Sequence, residues 1–414
     1  MKSFVQIAAM AFLLLSSASH AAPGHPRVGI VVIDVQKSFF AAAANENMAE
    51  VTANTKKVFE LAKKNKTPFF ITYEGKKTGD HDIPETLRRV LPKHGKSFIK
   101  TTYAATGLKP FVKAIKDSGV THLVVLGSET DVCVMHTVLG LRKMGYQVSL
   151  QKDAVFSSEH SPGAAYRRME MAGVHMADMP EVAKMMESDT PPAPTVQNID
   201  TLLQPMRGGK PNLALVLNLF DEAHIKGSGD SFKAPKLERI RELLLLAEWT
   251  KIPVYVKGVS PHAPLPESLK KIMPKDALRI FEQKKWHSFA DFPPGGFQQV
   301  LLAGSEQNLN EVVGALGKER QLFLTEDSLL SSARKPILET EELVPLTYKS
   351  LYFGLTQSIS QKEWPVKEWI DRDPTFYPLM SPAEQLLPMK PAKRAAPPRT
   401  SSGEPALLPA TSAQ

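Results

Sequence analysis

Thr121–Thr137, THLVVLGSETDVCVMHT, holds an apolar run, a glycine-led turn and the only cysteine of the chain. HLVVL is short, β-branched and apolar on both faces, the pattern of a strand buried inside a parallel sheet. GSETD then supplies turn and capping residues, so a helix is expected to start there. Cys133 would stand at the carboxyl end of a central strand, in the first turn of that helix. Free N–H groups and the helix dipole stabilise a thiolate at such a place, which is also where open α/β sheets gather reactive groups.

Upstream, RVGIVVID (27–34) reads as an apolar strand ending on Asp34, with VQKSFF following as loop. Residues 48–64 have helical spacing, and TPFFITYEG from Thr67 is a second buried strand. SFIK (97–100) is a brief strand ending on Lys100, and 108–118 is an amphipathic helix. Downstream, the helix carrying Cys133 runs to about residue 144, YQVSLQKDA is a fifth strand, and two helices in 163–187 flank GVHMA. Alternating strands and helices predict an α/β fold, a doubly wound parallel sheet in three layers. Three strands would bring a carboxylate, an ammonium and a thiol to one rim. Phe39, Phe40 and Tyr103 lie near it as candidate pocket walls. Asp80-His81-Asp82 has the spacing of metal ligands, but without further histidines it reads as a solvated loop, and no metal or cofactor is expected. Gly227 and Gly229 lack phosphate-loop spacing and read as a flexible loop.

The pattern then starts again after a proline-dense linker, SDTPPAPTVQ. NLALVLNLFDEAH echoes RVGIVVIDVQKSF, AEWTKIPVYVKG echoes AKKNKTPFFITYEG, RIFEQKKWHSF echoes KSFIKTTYAAT, and QQVLLAGSEQNLNEVVGALG echoes THLVVLGSETDVCVMHTVLG. RQLFLTEDSLLSS matches YQVSLQKDAVFSS as well. The order is kept at a spacing of about 180 residues, which predicts two tandem domains. The second copy looks degenerate: Asn218 is read in place of Asp34, Gln283 of Lys100 and Asn310 of Cys133. The helix before its fourth strand is cut down to ADFPPGGF.

The 414 residues are 43% hydrophobic and 23% charged, a globular composition with room for two domains. A net charge of +8 comes from scattered basic residues without an aromatic interleave, so nucleic acid is not an expected partner. The opening residues have one lysine, an apolar stretch and small residues up to Ala21, a signal-peptide pattern. The apolar stretch is shorter than the roughly 20 residues a bilayer crossing needs, so secretion or a periplasmic location is expected, without stable membrane insertion. The expected organisation is a signal at 1–21, a first domain at 22–187, a linker at 188–209 and a second domain at 210–362. A C-terminal extension at 363–414 follows, disordered from about 380. A single unpaired thiol in an oxidising compartment is either inert and buried or kept for its chemistry.

A strand ending in ID-x-Q, a lysine in F-x-K ahead of Tyr103-Ala104, and a strand followed by G-S-E-T-D-x-C-V-x-x-T resemble the isochorismatase-like cysteine hydrolase superfamily, which includes nicotinamidases and related amidases. The resemblance covers about residues 27–187, and more weakly 210–362. It implies Cys133 as nucleophile, Asp34 as general base and Lys100 as the third member of a triad that cleaves a C–N bond of a small amide through a thioester. It also implies a cis Ser128–Glu129 peptide and an oxyanion hole of the Glu129 and Cys133 backbone N–H groups. Glu129 departs from the small apolar residue that relatives often carry. Relatives often associate through their flanking helices, so either a homo-oligomer or packing of the two domains within one chain is expected. The alternative reading is a non-catalytic binding or scaffold protein on the same two domains.

Overall fold

The computed structural model describes residues 28–43, 47–75, 79, 82–158, 162–194, 202–204, 206–207, 210–218, 230–257, 267, 287–288, 292–306, 309–317, 320–330 and 343–356. Residues 1–21 and 363–414, expected to be a signal and a C-terminal extension, and Asp80, His81, Gly227, Gly229 and Gln283 lie outside them. Among the described residues no helix is long and apolar enough to cross a membrane.

The first half runs β1 (Val28–Ile33), α1 (Lys37–Ala42), α2 (Met48–Asn65), β2 (Phe69–Glu74), α3 (Glu85–Arg88), β3 (Lys96–Lys100), α4 (Lys109–Ser118) and β4 (His122–Ser128). A wide π-type turn at Thr130–Val134 leads into α5 (Met135–Lys143), followed by β5 (Gln147–Phe156), α6 (Gly163–Met171), β6 (His175–Ala177) and α7 (Met179–Ser188). The strands form one sheet in the order β3-β2-β1-β4-β5-β6, every pair parallel. Winding reverses between β1 and β4, so their carboxyl ends open the crevice where this class of sheet places its ligands.

VQKSFF is not a loop: Lys37–Ala42 is a short helix. Phe39 is 1% exposed and belongs to the apolar cluster under it, and burying that ring is what folds the segment. Gly127 is required in β4. At φ +133, a Cβ there would lie 2.0 Å from the carbonyl oxygen of Ile33.

The second half holds a short antiparallel pair, β7 (Met206–Arg207) and β8 (Lys210–Pro211), then β9 (Leu213–Asn218), α8 (Asp230–Thr250), β10 (Val254–Lys257) and β11 (His287–Ser288). β12 (Gln299–Ser305), α9 (Leu309–Leu316), β13 (Gln321–Leu330), β14 (Leu343–Leu346) and α10 (Tyr348–Thr356) follow. Its sheet is β11-β10-β9-β12-β13-β14, parallel throughout, the same order as the first. Gly304 repeats the glycine of β4, with the Asn218 carbonyl 2.6 Å from where a Cβ would sit.

Strand register corrects one residue correspondence. Asn218 pairs with Gly304 as Ile33 pairs with Gly127, so Asn218 replaces Ile33 rather than Asp34. Its side-chain amide donates to the Ser305 carbonyl at 2.8 Å, a role in the sheet and not at the rim. Asn310 is an exposed residue at the start of α9. The described part of the shortened segment, 292–298, is turn without helix.

The linker is less open than its composition suggests. Leu203 is buried, and the Gln204 N–H donates to the Gln299 side chain at 2.6 Å. The larger apolar cluster belongs to both halves: Ile33, Phe111, Val138 and Met169 are continuous with Leu217, Leu243, Phe323 and Leu351. The outer face of each sheet has its own cluster, under α2 and α7 in the first half and under α9 in the second.

Candidate active site

Asp34 follows β1 in a left-handed conformation, φ 49, which turns its carboxylate over the sheet end. The Thr72 hydroxyl donates to Asp34 Oδ1 at 2.8 Å, and the Ser128 hydroxyl donates to the Asp34 carbonyl at 2.7 Å, tying the loop to β2 and β4. Lys100 closes β3. Its Nζ lies 2.7 Å from Asp34 Oδ2 and 3.3 Å from Cys133 Sγ. Lys100 is thus within hydrogen-bonding reach of both other residues expected at this rim, Asp34 and Cys133 have ligand atoms within 4.8 Å of each other, and all three are buried. Tyr103 is buried in the same apolar cluster as Cys133, while Phe39 is buried in the outer-face cluster and Phe40 is half-buried against it with its ring against Phe156.

A fourth ionisable group stands with them. Glu74, at the carboxyl end of β2, pairs in register with Lys100 and has Oε2 3.6 Å from Nζ. Burial pushes Glu74 up to about 7, while Lys100 pulls it down and Asp34 and Glu129 add to the rise. The same strand-end rule that singles out Asp34 and Lys100 applies to the final Glu of FFITYE.

Burial raises the Cys133 thiol well above its ordinary range, Lys100 opposes this, and Asp34, Glu74 and Glu129 reinforce it. Burial would strip the Lys100 proton, yet Asp34, Cys133 and Glu74 together raise that group, so the ammonium is held. Ligand atoms of Asp34, Glu74 and Cys133 lie within 4.8 Å of one another, spacing that would suit a cation. Lys100 Nζ is within 3.6 Å of all three and serves as that cation. A metal ion would have to displace it, so these residues do not fit one.

Cys133 lies within the π-type turn, not in a regular first α-turn. The Glu129 carbonyl accepts the N–H groups of both Val132 and Val134, at 3.0 and 3.1 Å, closing the backbone around the cysteine. The Ser128–Glu129 peptide is trans, contrary to expectation. The chain turns instead through the left-handed conformation of Glu129, φ 57 and ψ 66. The Glu129 carboxylate is held by a set of donors: the Ser158 N–H at 3.2 Å, the Ser158 hydroxyl at 3.1 Å and Lys349 Nζ at 2.7 Å. Lys349 belongs to α10 of the second half. No feature of the one-dimensional sequence links it to GSETD.

Asp82, the described part of the Asp-His-Asp stretch, accepts from the Ile83 N–H at 2.7 Å and pairs with Arg88 of α3.

Residues 28–181 match the isochorismatase domain family. No curated protein matches the chain. Among solved structures, the chain is similar to a MAR1 ribonuclease from Caenorhabditis elegans, at 21% identity over 42% of this chain and 95% of that one, with a TM-score of 0.36. It is similar to the YcaC gene product of Escherichia coli, an octameric hydrolase of unknown specificity, at 23% identity over 38% and 78%, TM-score 0.36. It is also similar to N-carbamoylsarcosine amidase from Thermoplasma acidophilum, at 16% identity over 37% and 96%, TM-score 0.34. With a doubly wound sheet, a cysteine beyond its fourth strand and a family match along nearly its whole length, the domain formed by β1 to β6 belongs to the isochorismatase-like hydrolase superfamily.

Proposed function

We propose that the first domain, residues 22–187, is a cysteine hydrolase that cleaves a C–N bond in a small amide. The observation that carries this reading is one ammonium held 2.7 Å from a carboxylate and 3.3 Å from the only thiol, all inside the protein. Asp34 takes the thiol proton as the sulfur attacks the amide carbon. It returns that proton to the nitrogen as the C–N bond breaks, releasing ammonia or an amine and leaving a thioester. Water, deprotonated by Asp34, then attacks the thioester, and the acid leaves with the thiol restored. Lys100 keeps Asp34 ionised and offsets the charge on sulfur. The backbone N–H groups of Glu129 and Cys133 are assigned to the developing oxyanion, a contribution of about 3 kcal/mol for one such donor. Phe39, Phe40 and Tyr103 form the pocket walls.

Residues 1–21 act in this reading as an export signal to a secreted or periplasmic location. Residues 188–209 link to a degenerate second copy at 210–362, and 363–414 form a tail outside both domains. Copies of the chain associate, if at all, through surfaces other than the face shared by the two halves.

The second reading is a binding or scaffold protein, favoured by the complete burial of Cys133 and its raised thiol. Alkylation of Cys133 separates the two. Labelling of the full chain at neutral pH, slowed about a hundredfold or more by Asp34→Asn or Lys100→Ala, together with ammonia release from a panel of small amides, supports the hydrolase. Sluggish labelling that neither substitution changes, with no amide consumed, supports the scaffold.

A further inference from the structure

α10 begins where the second half meets α5 and the turn that carries Cys133 in the first. β14 ends at Leu346, and Thr347 and Ser350 cap the helix reciprocally: each backbone N–H donates to the other's side-chain oxygen at 3.2 Å. The Tyr348 N–H is held by the Asp327 carboxylate at 2.9 Å. Two residues on, the Ser350 carbonyl lies 3.0 Å from His136 Nε2 of α5. The start of α10 is therefore fixed to its own domain and to the helix that follows Cys133.

Lys349 projects from this fixed point. A lysine in the first turn of a helix is opposed by the helix dipole, so its own helix does not explain its place. Its partners do. Nζ lies 2.7 Å from Glu129 and 3.5 Å from Asp131, both on the turn that carries Cys133, and 3.0 Å from the Ser158 hydroxyl. Asp131 is also held by the Ser157 hydroxyl at 2.6 Å. Both carboxylates are buried, and only 12% of the Lys349 side chain is exposed. Buried carboxylates without a counter-charge are costly, and a left-handed glutamate needs its side chain anchored.

We propose that Lys349 is a positioning residue of the first domain's active site, contributed by the second domain: it clamps Glu129 and Asp131 and thereby sets the shape and charge of the turn that presents Cys133. This rests on the hydrolase reading and gives the second copy its role. The charged groups acting on Cys133 are Lys100 from β3, Asp34 beyond β1, Glu74 from β2 and Glu129 on its own turn, with Tyr103 from the loop after β3 beside them. Arg168 from α6 reaches Met135 Sδ, two residues beyond Cys133, at 4.0 Å, and Tyr352 from α10 acts on Tyr103. Lys100 is set against Asp34 and Glu74, and Lys349 supplies the matching positive charge against Glu129 and Asp131.

The test uses the full chain. Cys133 is its only cysteine, so the thiolate ultraviolet absorbance, taken as a difference from Cys133→Ser, titrates that group whether or not any amide is hydrolysed. Lys349→Met is expected to raise the titration midpoint by about one unit and slow alkylation at neutral pH about tenfold. On a hydrolysed amide it should lower kcat with KM little changed. Adding Glu129→Gln to Lys349→Met, which removes the unbalanced charge, should bring the midpoint back toward the parent's, and Lys349→Arg should retain it. An unchanged midpoint and alkylation rate in a Lys349→Met protein with the parent's melting temperature overturns the proposal. Should Lys349→Met not fold, Glu129→Gln alone carries the test: its midpoint must fall, and one equal to the parent's overturns the proposal. Absence of hydrolysis in the parent, by contrast, counts against the hydrolase reading and leaves the titration arm intact.

Discussion

Glu74 stands in an environment that its place in FFITYE does not announce. Its carboxyl is raised from 4.5 to about 7, chiefly by burial, so the folded chain binds the proton more tightly than the unfolded chain does. The stability this contributes is complete below about 4.5 and is lost as pH rises through about 7. Glu74→Gln, neutral at every pH, should therefore gain on the parent by about 2–3 kcal/mol between mild acid and mild alkali, measured by urea unfolding at both. His136 has the opposite sign. Burial and Arg168 push it down to about 4, so its share of stability is present above 6.5 and is lost as pH falls toward 4. The two slopes offset one another in the parent, which should show a nearly flat profile over that window. His136→Gln should expose the Glu74 slope, with stability rising as pH falls, in the same unfolding series. Asp34, Lys100 and Cys133 were legible because each ends a strand pattern and falls in a motif. Glu129's partner was not, because an ion pair across more than two hundred residues leaves no local periodicity.

Among the elements, β4 and β12 show how one backbone requirement recurs. Both carry a positive-φ glycine against the carbonyl of the strand beside it, at φ +133 and φ +99. Gly127→Ala should destabilise the chain by about 3 kcal/mol or more, since backbone oxygen has nowhere to move, and Gly304→Ala by less. Thermal melts of the two variants check the ranking. The order of strands and helices could be read from apolar runs and their punctuation, because a buried parallel strand is apolar on both faces. Two features escaped for different reasons. α1 is too short for helical periodicity and is fixed by the burial of Phe39, a tertiary effect. The residue matching Asn218 was misplaced by one, since only pairing with β12 sets the register.

At the scale of the whole molecule, the two sheets share one apolar interior. Arg168, fully buried on α6, stacks over the Phe323 ring of β13 at 5.6 Å, and Arg167 pairs with Glu326 beside it. A chain truncated after residue 194 would leave Val138, Met169 and their neighbours facing water. It should aggregate or melt far below the full chain, as light scattering and calorimetry would show. The repeated segments announced two domains, but not that their inner faces merge, because apolar residues on a helix do not name what will cover them. Joining both halves in one polypeptide also fixes their stoichiometry at the moment of synthesis. A companion on the same strand of peptide cannot be diluted away, so specific activity should stay level as the protein is diluted, where an assembly of separate subunits would lose it.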